Sequence, residues 1–324
     1  MVCPSEPVYA AIDLGTNNCR LLLAQPTQSG FRVVDAFSRI TRLGEGLTKN
    51  GALAEPAIQR TIAALKLCAT RLIRHNVQQV RAVATEACRQ ASNCALFLER
   101  VTKETGLSIE IIEAEEEAKL ALAGCAPLLN RALPHALVFD IGGGSTELIS
   151  VAISPDSSDD SVEDIRSFPI GVVSLAERNG LGLYHSQGYQ AAVVETLALL
   201  RAFDPEGRLH GFAEQGQLQL LGTSGTVTTL AGVHLNLNRY NRALVDGLVM
   251  DFSSIVTVSQ RLTEASCADR AAHPCIGKDR ADLVVAGCVI LEAICQLWPA
   301  GALRVADRGV REGVLLSMMQ AAQR

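Results

Sequence analysis

Two stretches of the chain share one pattern of apolar and polar positions. Each begins with an apolar run that ends in Asp-x-Gly, passes through a short turn of small polar residues, and resumes as a second apolar run. They are Val8–Gln25 (VYAAIDLGTNNCRLLLAQ) and His135–Ala152 (HALVFDIGGGSTELISVA), and Asp13 aligns with Asp140, 127 residues later. Apolar runs joined by a glycine turn are typical of β-hairpins. The sequence therefore predicts an internal repeat with one such hairpin in each half.

Between the hairpins the pattern changes to that of helices and buried strands. Pro56–His75 has apolar residues at spacings of three and four, with Pro56 in a first helical turn. The residues on that face are Ile58, Ile62, Leu65, Ala69, Leu72 and Ile73. Val80–Ala84 and Ser108–Ile112 are predicted strands, and helices are expected to follow near Thr85 and Glu113. This alternation predicts an α/β fold with helices covering a mixed sheet.

In the second half, Leu218–Leu221 is a predicted strand that ends in the turn Gly222–Thr226, and an apolar segment follows from Val227. A strand, glycine turn and helix in this order point several backbone N–H groups and a helix N-terminus at one place, which suits an anion.

Length and composition favour two soluble globular domains. The chain has 324 residues, of which 48% are hydrophobic and 19% charged. A chain of this length is too long for one hydrophobic core. Its ten cysteines contain no CxxC pair and no zinc-ligand spacing, so we expect reduced core residues. The net charge of −5 argues against a nucleic-acid partner. A polyanion would have to meet a local basic surface.

Export and membrane insertion are not expected. The N-terminus (MVCPSE) has neither a basic nor an apolar signal region. Ala281–Trp298 is the longest apolar stretch, but Asp282, Glu292 and Gln296 interrupt it, as in a half-buried helix. We therefore expect a cytoplasmic protein without a membrane partner.

The glycine turns carry the candidate chemistry. Glycine lets the backbone approach a ligand closely, and neighbouring hydroxyl groups add donors. The residues concerned are Gly15, Gly142, Gly143, Gly144 and Gly225 with Thr16, Ser145, Thr146 and Thr226. One such turn by itself is equally a tight hairpin. Three of them together favour phosphate binding.

Carboxylates beside the turns imply a metal ion. Asp13 and Asp140 would repel phosphate, so a hard cation, Mg²⁺ or alternatively Mn²⁺, is expected between carboxylate and phosphate. Glu147 is a candidate to complete the metal shell, the alternative being an outward-facing strand residue.

Five motifs together resemble those of the exopolyphosphatase/guanosine pentaphosphate phosphohydrolase family. They are Asp13–Leu21 (DLGTNNCRL), Glu115–Ala118 (EEEA), Asp140–Glu147 (DIGGGSTE), Gly222–Thr226 (GTSGT) and Asp307–Gly313 (DRGVREG). The resemblance implies α/β architecture with two actin-like, RNase H-like domains around a central cleft. The expected domains are 1–133 and 134–308, with the C-terminal helix at about 309–324 as a candidate addition to the first.

The resemblance also implies roles for individual residues. Glu117 is similar to the family's general base, which deprotonates water, and Arg89 to the arginine that clamps the terminal phosphate. Without the resemblance, the glutamates at 113–117 could simply favour a helix N-terminus. The implied substrate-binding residues are Gly15, Thr16, Asn17, Arg20, Gly142, Gly143, Gly144, Ser145, Thr146, Gly222, Ser224, Gly225, Thr226, Lys278, Arg280, Arg308 and Arg311. For Arg308 and Arg311 the alternative is a structural ion pair with Asp307 or Glu312.

The chain departs from the family pattern in three places. Asn18 replaces a hydroxyl residue in the first turn, and Ser224 stands where glycine is common in the third. The chain ends at Arg324, so the helical domains of long family members, with their extended tunnel, are not expected. We therefore expect a preference for shorter substrates or less processive hydrolysis.

Three classes of function remain open from the sequence. The first is an exopolyphosphatase, with guanosine pentaphosphate hydrolysis as the related alternative. The second is an actin-like ATP-dependent kinase or chaperone ATPase, and the third is a silent sensor of polyphosphate or guanosine polyphosphates. The resemblance further implies a homodimer, and a monovalent cation such as K⁺ is an additional candidate cofactor.

Overall fold

The chain forms two compact units in the computed structural model, which describes residues 6–28, 30–155 and 160–322. The first unit runs to Gly124 and resumes at Val310, and the second is Cys125–Gly309. The expected lack of an export signal rests partly on the five N-terminal residues. These lie outside the residues that the structure describes.

The strands and helices follow one another in the order that the repeat predicts. In chain order they begin with β1 (Tyr9–Leu14), β2 (Asn18–Thr27), β3 (Gly30–Ile40), α1 (Leu47–Asn50), α2 (Glu55–Arg74), β4 (Gln79–Ala84), α3 (Glu86–Gln90), α4 (Cys94–Thr105), β5 (Glu110–Ile111) and α5 (Ala114–Cys125). They continue with β6 (His135–Ile141), β7 (Thr146–Ala152), β8 (Ser161–Phe168), α6 (Val172–Asn179), α7 (Ser186–Leu200), α8 (Arg208–Glu214), β9 (Leu218–Thr223), α9 (Gly225–His234), α10 (Arg242–Val245), β10 (Val249–Asp251), α11 (Phe252–Glu264), α12 (Cys267–Ala272), α13 (Val284–Leu297), β11 (Ala302–Ala306) and α14 (Val310–Ala321). Short 3₁₀ helices occupy Ala126–Leu128, Gly180–Tyr184 and Arg201–Phe203.

The first unit is a five-stranded mixed sheet between two helical layers. The strand order is β3-β2-β1-β4-β5, with β1, β4 and β5 parallel and β1, β2 and β3 antiparallel. Alternate residues of β1 enter different cores: Ala10 and Ile12 pack with α2 and α4, whereas Tyr9 and Ala11 pack with α5 and α14. Burial on both faces explains why β1 is apolar throughout.

The second unit repeats this plan. Its sheet has the order β10-β11-β9-β6-β7-β8, so β8-β7-β6-β9-β11 matches the order of the first unit, with β10 added antiparallel at the edge. The two predicted hairpins are β1–β2 and β6–β7, and both are confirmed.

Some details differ from the sequence pattern. Ile73, placed on the apolar face of α2, is 81% exposed, because it lies at the edge of that face, whereas Leu72 beside it packs into the core. The predicted half-buried helix is α13, which is buried along nearly its whole length because it packs in the centre of the core of the second unit. Its Glu292 accepts a hydrogen bond from Tyr189 Oη at 2.8 Å, which satisfies a carboxylate in that setting.

The boundary between the units also differs from the predicted one. Residues 125–133 were assigned to the first domain, but their contacts lie in the second unit. Asn130 N donates to Gln219 Oε1 at 2.8 Å, and Gln219 Nε2 donates to Asn130 O at 2.9 Å. The C-terminal helix α14 packs against β1 and β2 in the first unit.

The cysteines of the described residues are free thiols, and all of them except Cys267 are buried. None of the helices in the described ranges combines the length and the hydropathy that a membrane span requires.

Candidate active site

The first glycine turn joins β1 to β2 in the first unit. Gly15 N donates to Asn18 O at 2.9 Å, which closes the turn. The carbonyl of Thr16 accepts from Gly44 N at 2.9 Å, and that of Asn17 from Thr41 N at 2.9 Å. These bonds tie the turn to the segment that follows β3. Thr16 and Asn17 are each only 7% exposed, so the turn is a built feature of the fold.

The two asparagines of this turn contain buried acceptors. Asn17 Oδ1 and Asn18 Oδ1 have no hydrogen-bond partner within the part of the chain that the structure describes. An unpaired buried polar atom costs about 1–3 kcal/mol. A hydrogen-bond donor or a cation bound at the turn would remove this penalty. The amide at position 18 thus offers such a ligand an acceptor oxygen.

The second glycine turn joins β6 to β7 in the second unit and repeats the first. Gly142 N donates to Ser145 O at 2.9 Å, which is the same bond 127 residues later. The carbonyls of Gly142 and Gly143 accept from Val172 N and Val173 N at the start of α6. A Cβ on Gly171 would lie 2.4 Å from the Gly143 carbonyl carbon. Glycine at 171 is therefore required for α6 to hold this turn.

The carboxylate at each turn has a different partner across its hairpin. Asp13 lies opposite Arg20, whereas Asp140 lies opposite Glu147. Burial raises the pKa of the Asp13 carboxyl, while the Arg20 and Arg311 guanidinium groups oppose the rise. Directly opposed residues of antiparallel strands share one face of the sheet. The first hairpin thus carries a carboxylate–guanidinium pair and the second a pair of carboxylates.

The second pair is the better candidate to hold a cation. Glu147 is 1% exposed, so the predicted alternative of an outward-facing residue does not apply. Ser167 Oγ donates to Glu147 Oε1 at 2.8 Å and orients the carboxylate. The described residues contain no cluster of three or more His, Cys, Asp or Glu side chains that could hold a metal. Asp140 and Glu147 offer two carboxylates, and Mg²⁺ commonly binds one or two protein carboxylates together with phosphate oxygens and water.

The third turn, between β9 and α9, is closed by its own serine. Ser224 has φ +144°, in the region that favours glycine. Its Oγ accepts hydrogen bonds from Thr226 N at 3.1 Å and Val227 N at 3.2 Å. These are the N–H groups that the sequence pattern offers to an anion. The serine therefore caps the helix N-terminus that glycine would leave to a ligand.

Gly222 has a packing role in the same turn. It lies in the buried end of β9, and a Cβ there would lie 2.6 Å from the ring of Phe139. The sequence predicts that Gly222 lets the backbone approach a ligand. In the structure, the space beside Gly222 is filled by the ring of Phe139.

Replacing Ser224 by glycine is expected to tighten the binding of a phosphate chain by about 10-fold, because two N–H groups become available to a charged acceptor. Calorimetric titration with a non-hydrolysed chain would measure the change. Ser266→Gly is a matched control, since Ser266 Oγ caps α12 by accepting from Asp269 N at 3.1 Å. Equal binding by Ser224→Gly and wild type would show that this helix end does not face the substrate.

Glu117 and Arg89 are brought together in the first unit. Arg89 Nη2 donates to Glu117 Oε2 at 2.9 Å, and the two side chains are only 13% and 12% exposed. Arg89 Nη1 donates to Ile112 O at 2.8 Å. Burial opposes the charge of Arg89, but the carboxylates of Glu117 and Glu86 outweigh it and raise the pKa of Arg89. A charged, fixed guanidinium beside Glu117 orients that carboxylate.

Of the four predicted basic residues after position 270, one is exposed to solvent and the other three contact neighbouring side chains. Lys278 is exposed, and Arg280 Nη1 donates to Thr229 Oγ1 at 3.2 Å. Arg308 donates through Nε and Nη2 to Asp246 Oδ2, at 2.8 and 2.7 Å. It thus pairs with Asp246, which is not one of the partners that the sequence suggests. No local pattern marks Asp246, which lies 62 residues before Arg308.

Arg311 approaches Glu312, with Nη2 3.9 Å from Oε1, at the start of α14. Both side chains are largely buried, at 14% and 3% exposure. The Asp307–Gly313 motif is divided between the two units. Its residues up to Gly309 belong to the second unit, and those from Val310 onward belong to the first.

Two α/β units of the same strand order, each with an Asp-x-Gly turn, define a protein with a duplicated α/β fold. The chain belongs to the Ppx/GppA phosphatase family, whose model matches residues 22–322. The predicted α/β class and the family resemblance are both confirmed.

Named relatives cover nearly the whole chain. "Exopolyphosphatase 2" of Mycobacterium tuberculosis is 30% identical over 322 residues, which cover 95% of this chain and 98% of the relative. The crystal structure of the Aquifex aeolicus member of the Ppx/GppA family is 30% identical with a TM-score of 0.76, covering 98% of this chain and 99% of that one. A Cytophaga hutchinsonii exopolyphosphatase is 25% identical with a TM-score of 0.85, covering 97% and 98%.

Proposed function

We propose that the protein is an exopolyphosphatase that hydrolyses the terminal phosphoanhydride bond of inorganic polyphosphate and releases orthophosphate. The observation that carries this proposal is the shielded Glu117 carboxylate, held by Arg89 at 2.9 Å. A general base needs a fixed orientation and limited exposure to water, and this side chain has both. Relatives named as exopolyphosphatases support the choice of substrate.

In the proposed reaction, Glu117 accepts a proton from a water molecule as the water oxygen attacks the terminal phosphorus. A new P–O bond forms, the bridging P–O bond breaks, and its electron pair stays on the shortened chain. Backbone N–H groups of the glycine turns would stabilise the charge that develops on the phosphoryl oxygens. The products are orthophosphate and a chain shorter by one phosphate.

We propose Mg²⁺, or alternatively Mn²⁺, as the divalent cofactor, held by Asp140 and Glu147. When bound, the ion would neutralise charge on the polyphosphate oxygens. Asp13 is a weaker ligand candidate, since Arg20 and Arg311 already act on its charge. The Asn17 and Asn18 side-chain oxygens suit a monovalent cation such as K⁺, because amide oxygens are hard neutral ligands.

Phosphate release by the purified protein tests the proposal directly. The substrates are short polyphosphate, long polyphosphate, guanosine pentaphosphate and ATP, each with and without Mg²⁺. We expect release from polyphosphate only with the cation. Preferential conversion of guanosine pentaphosphate to the tetraphosphate would favour that alternative. Transfer to a sugar or acetate would favour a kinase, and binding without turnover would favour a sensor.

The same preparation tests the proposed homodimer by light scattering. The enzyme's location is a separate proposal: we expect it in the cytoplasmic fraction, where polyphosphate and guanosine polyphosphates would be its small-molecule partners.

Neutralising Lys278 is expected to weaken binding of long polyphosphate more than short polyphosphate, with the difference shrinking as salt rises. Its exposed position allows contact with a chain beyond the terminal phosphate. Lys278→Gln and Arg280→Gln would be compared by KM at several ionic strengths. Lys119→Gln is the control, since Lys119 is an exposed lysine paired with Glu115 at 2.6 Å. An equal change for every chain length would contradict this role.

A further inference from the structure

Glu86 contributes a carboxylate to the Arg89–Glu117 pair that no sequence motif indicated. It is the first residue of α3, and its Oε2 accepts from Arg89 Nε at 2.9 Å and from Nη2 at 2.7 Å. The side chain is 16% exposed. This is a shielded ion pair, which is a stronger constraint than an exposed pair at the same spacing.

Three groups fix the plane of the Arg89 guanidinium. Glu86 takes the Nε–Nη2 edge, Glu117 accepts from Nη2, and Ile112 O accepts from Nη1. These four hydrogen bonds come from a group with five N–H donors. Arg89 is therefore held as a rigid bridge, and its scope for clamping a phosphate is small in this arrangement.

Glu86 occupies the Nε–Nη2 edge of Arg89 through a single oxygen, Oε2. A guanidinium and a carboxylate prefer two parallel hydrogen bonds, and the Nε–Nη2 edge offers that geometry. Because Glu86 holds this edge, the bond from Arg89 to Glu117 is a single one, to Oε2. Without Glu86, the same edge could turn to Glu117 and engage both of its oxygens.

We infer that Glu86 is a positioning residue that acts through Arg89 to hold Glu117 as a base. The inference rests on the proposed function, because it assigns Glu117 the proton transfer. Glu86 limits Arg89 to one contact with that carboxylate, and so preserves both its orientation and its basicity. Loss of Glu86 would leave substrate binding intact and impair the chemical step.

Steady-state kinetics of Glu86→Ala and the near-isosteric Glu86→Gln test the inference. We expect kcat to fall about 10-fold to 100-fold in Glu86→Ala, with KM within about twofold of wild type. Glu86→Gln keeps one acceptor oxygen and should lie between the two. Added formate should partly restore kcat in Glu86→Ala, since it can replace the missing carboxylate.

A double-mutant comparison separates positioning from a general structural role. In a Glu117→Ala background, Glu86→Ala should produce no further loss of kcat. Glu116→Gln is the matched control, because Glu116 neighbours Glu117 and pairs with Arg81 at 2.5 Å. It should retain wild-type kcat.

Several results would overturn the inference. They are an unchanged kcat in both Glu86 variants, a rise in KM at constant kcat, or an equal loss in the Glu117→Ala background. Thermal unfolding of Glu86→Gln shows whether lost activity reflects lost structure. If wild type itself does not cleave polyphosphate, the proposed function fails first. If wild type is active and Glu117→Ala is not, only the role of Glu86 is in question.

Discussion

Glu117→Ala is expected to lower the turnover of polyphosphate by about 10²-fold to 10⁴-fold, with affinity nearly unchanged. The carboxylate is held by Arg89 at 2.9 Å in the first turn of α5, so alanine removes the proton acceptor and keeps the helix. Single-turnover phosphate release measures the chemical step, and equilibrium binding of polyphosphate measures affinity.

Glu115→Ala serves as the control for this experiment. Glu115 lies two residues earlier in the same helix, is 68% exposed, and pairs with Lys119. It should retain the wild-type rate. If Glu117→Ala also turned over at the wild-type rate, Glu117 would have no part in the mechanism. A loss of binding with normal turnover at saturation would give it a substrate-binding role instead.

Gly313→Ala is expected to destabilise the protein by about 3 kcal/mol, because the new methyl group has no room. A Cβ at Gly313 would lie 2.0 Å from Leu120 O, a backbone atom of α5 that cannot rotate away. Helices α14 and α5 would have to move apart, which disturbs the core they form with Tyr9 and Val83. Chemical denaturation followed by circular dichroism measures the free energy of unfolding.

Gly211→Ala provides the matched comparison. Gly211 lies within α8, and a Cβ there meets nothing within 4 Å. Alanine has the higher helix propensity, so this variant should gain about 0.5–1 kcal/mol. Equal stability of Gly313→Ala and wild type would mean that α14 can shift at little cost.

The hairpins and their turns could be predicted because each is specified locally. A strand and its neighbour in a hairpin are close in sequence, so the apolar runs around Asp13 and Asp140 suffice to indicate the pairing. The equivalent bonds from Gly15 N to Asn18 O and from Gly142 N to Ser145 O follow from the same short pattern. The repeat of 127 residues then indicated two units with one plan.

Burial and pairing between distant segments were harder to predict. The charged and polar residues of α13 suggested a half-buried helix, but Tyr189 satisfies Glu292 from another helix. Arg308 pairs with Asp246, and its neighbours in sequence gave no indication of this partner. The conformation of Ser224 could be suspected from the missing glycine, whereas its use as a helix cap depends on φ +144°.

Local sequence is enough to predict the family, the α/β class, the duplicated glycine turns and the candidate base at Glu117. These rest on short motifs and on hydrophobic periodicity, which are properties of neighbouring residues. The fold was needed to show that Glu86 and Glu117 share Arg89 and that Arg308 is held by Asp246. An ion pair depends on which segments the fold brings together. Side chains 28 or 62 residues apart have no local sequence pattern that identifies their partner.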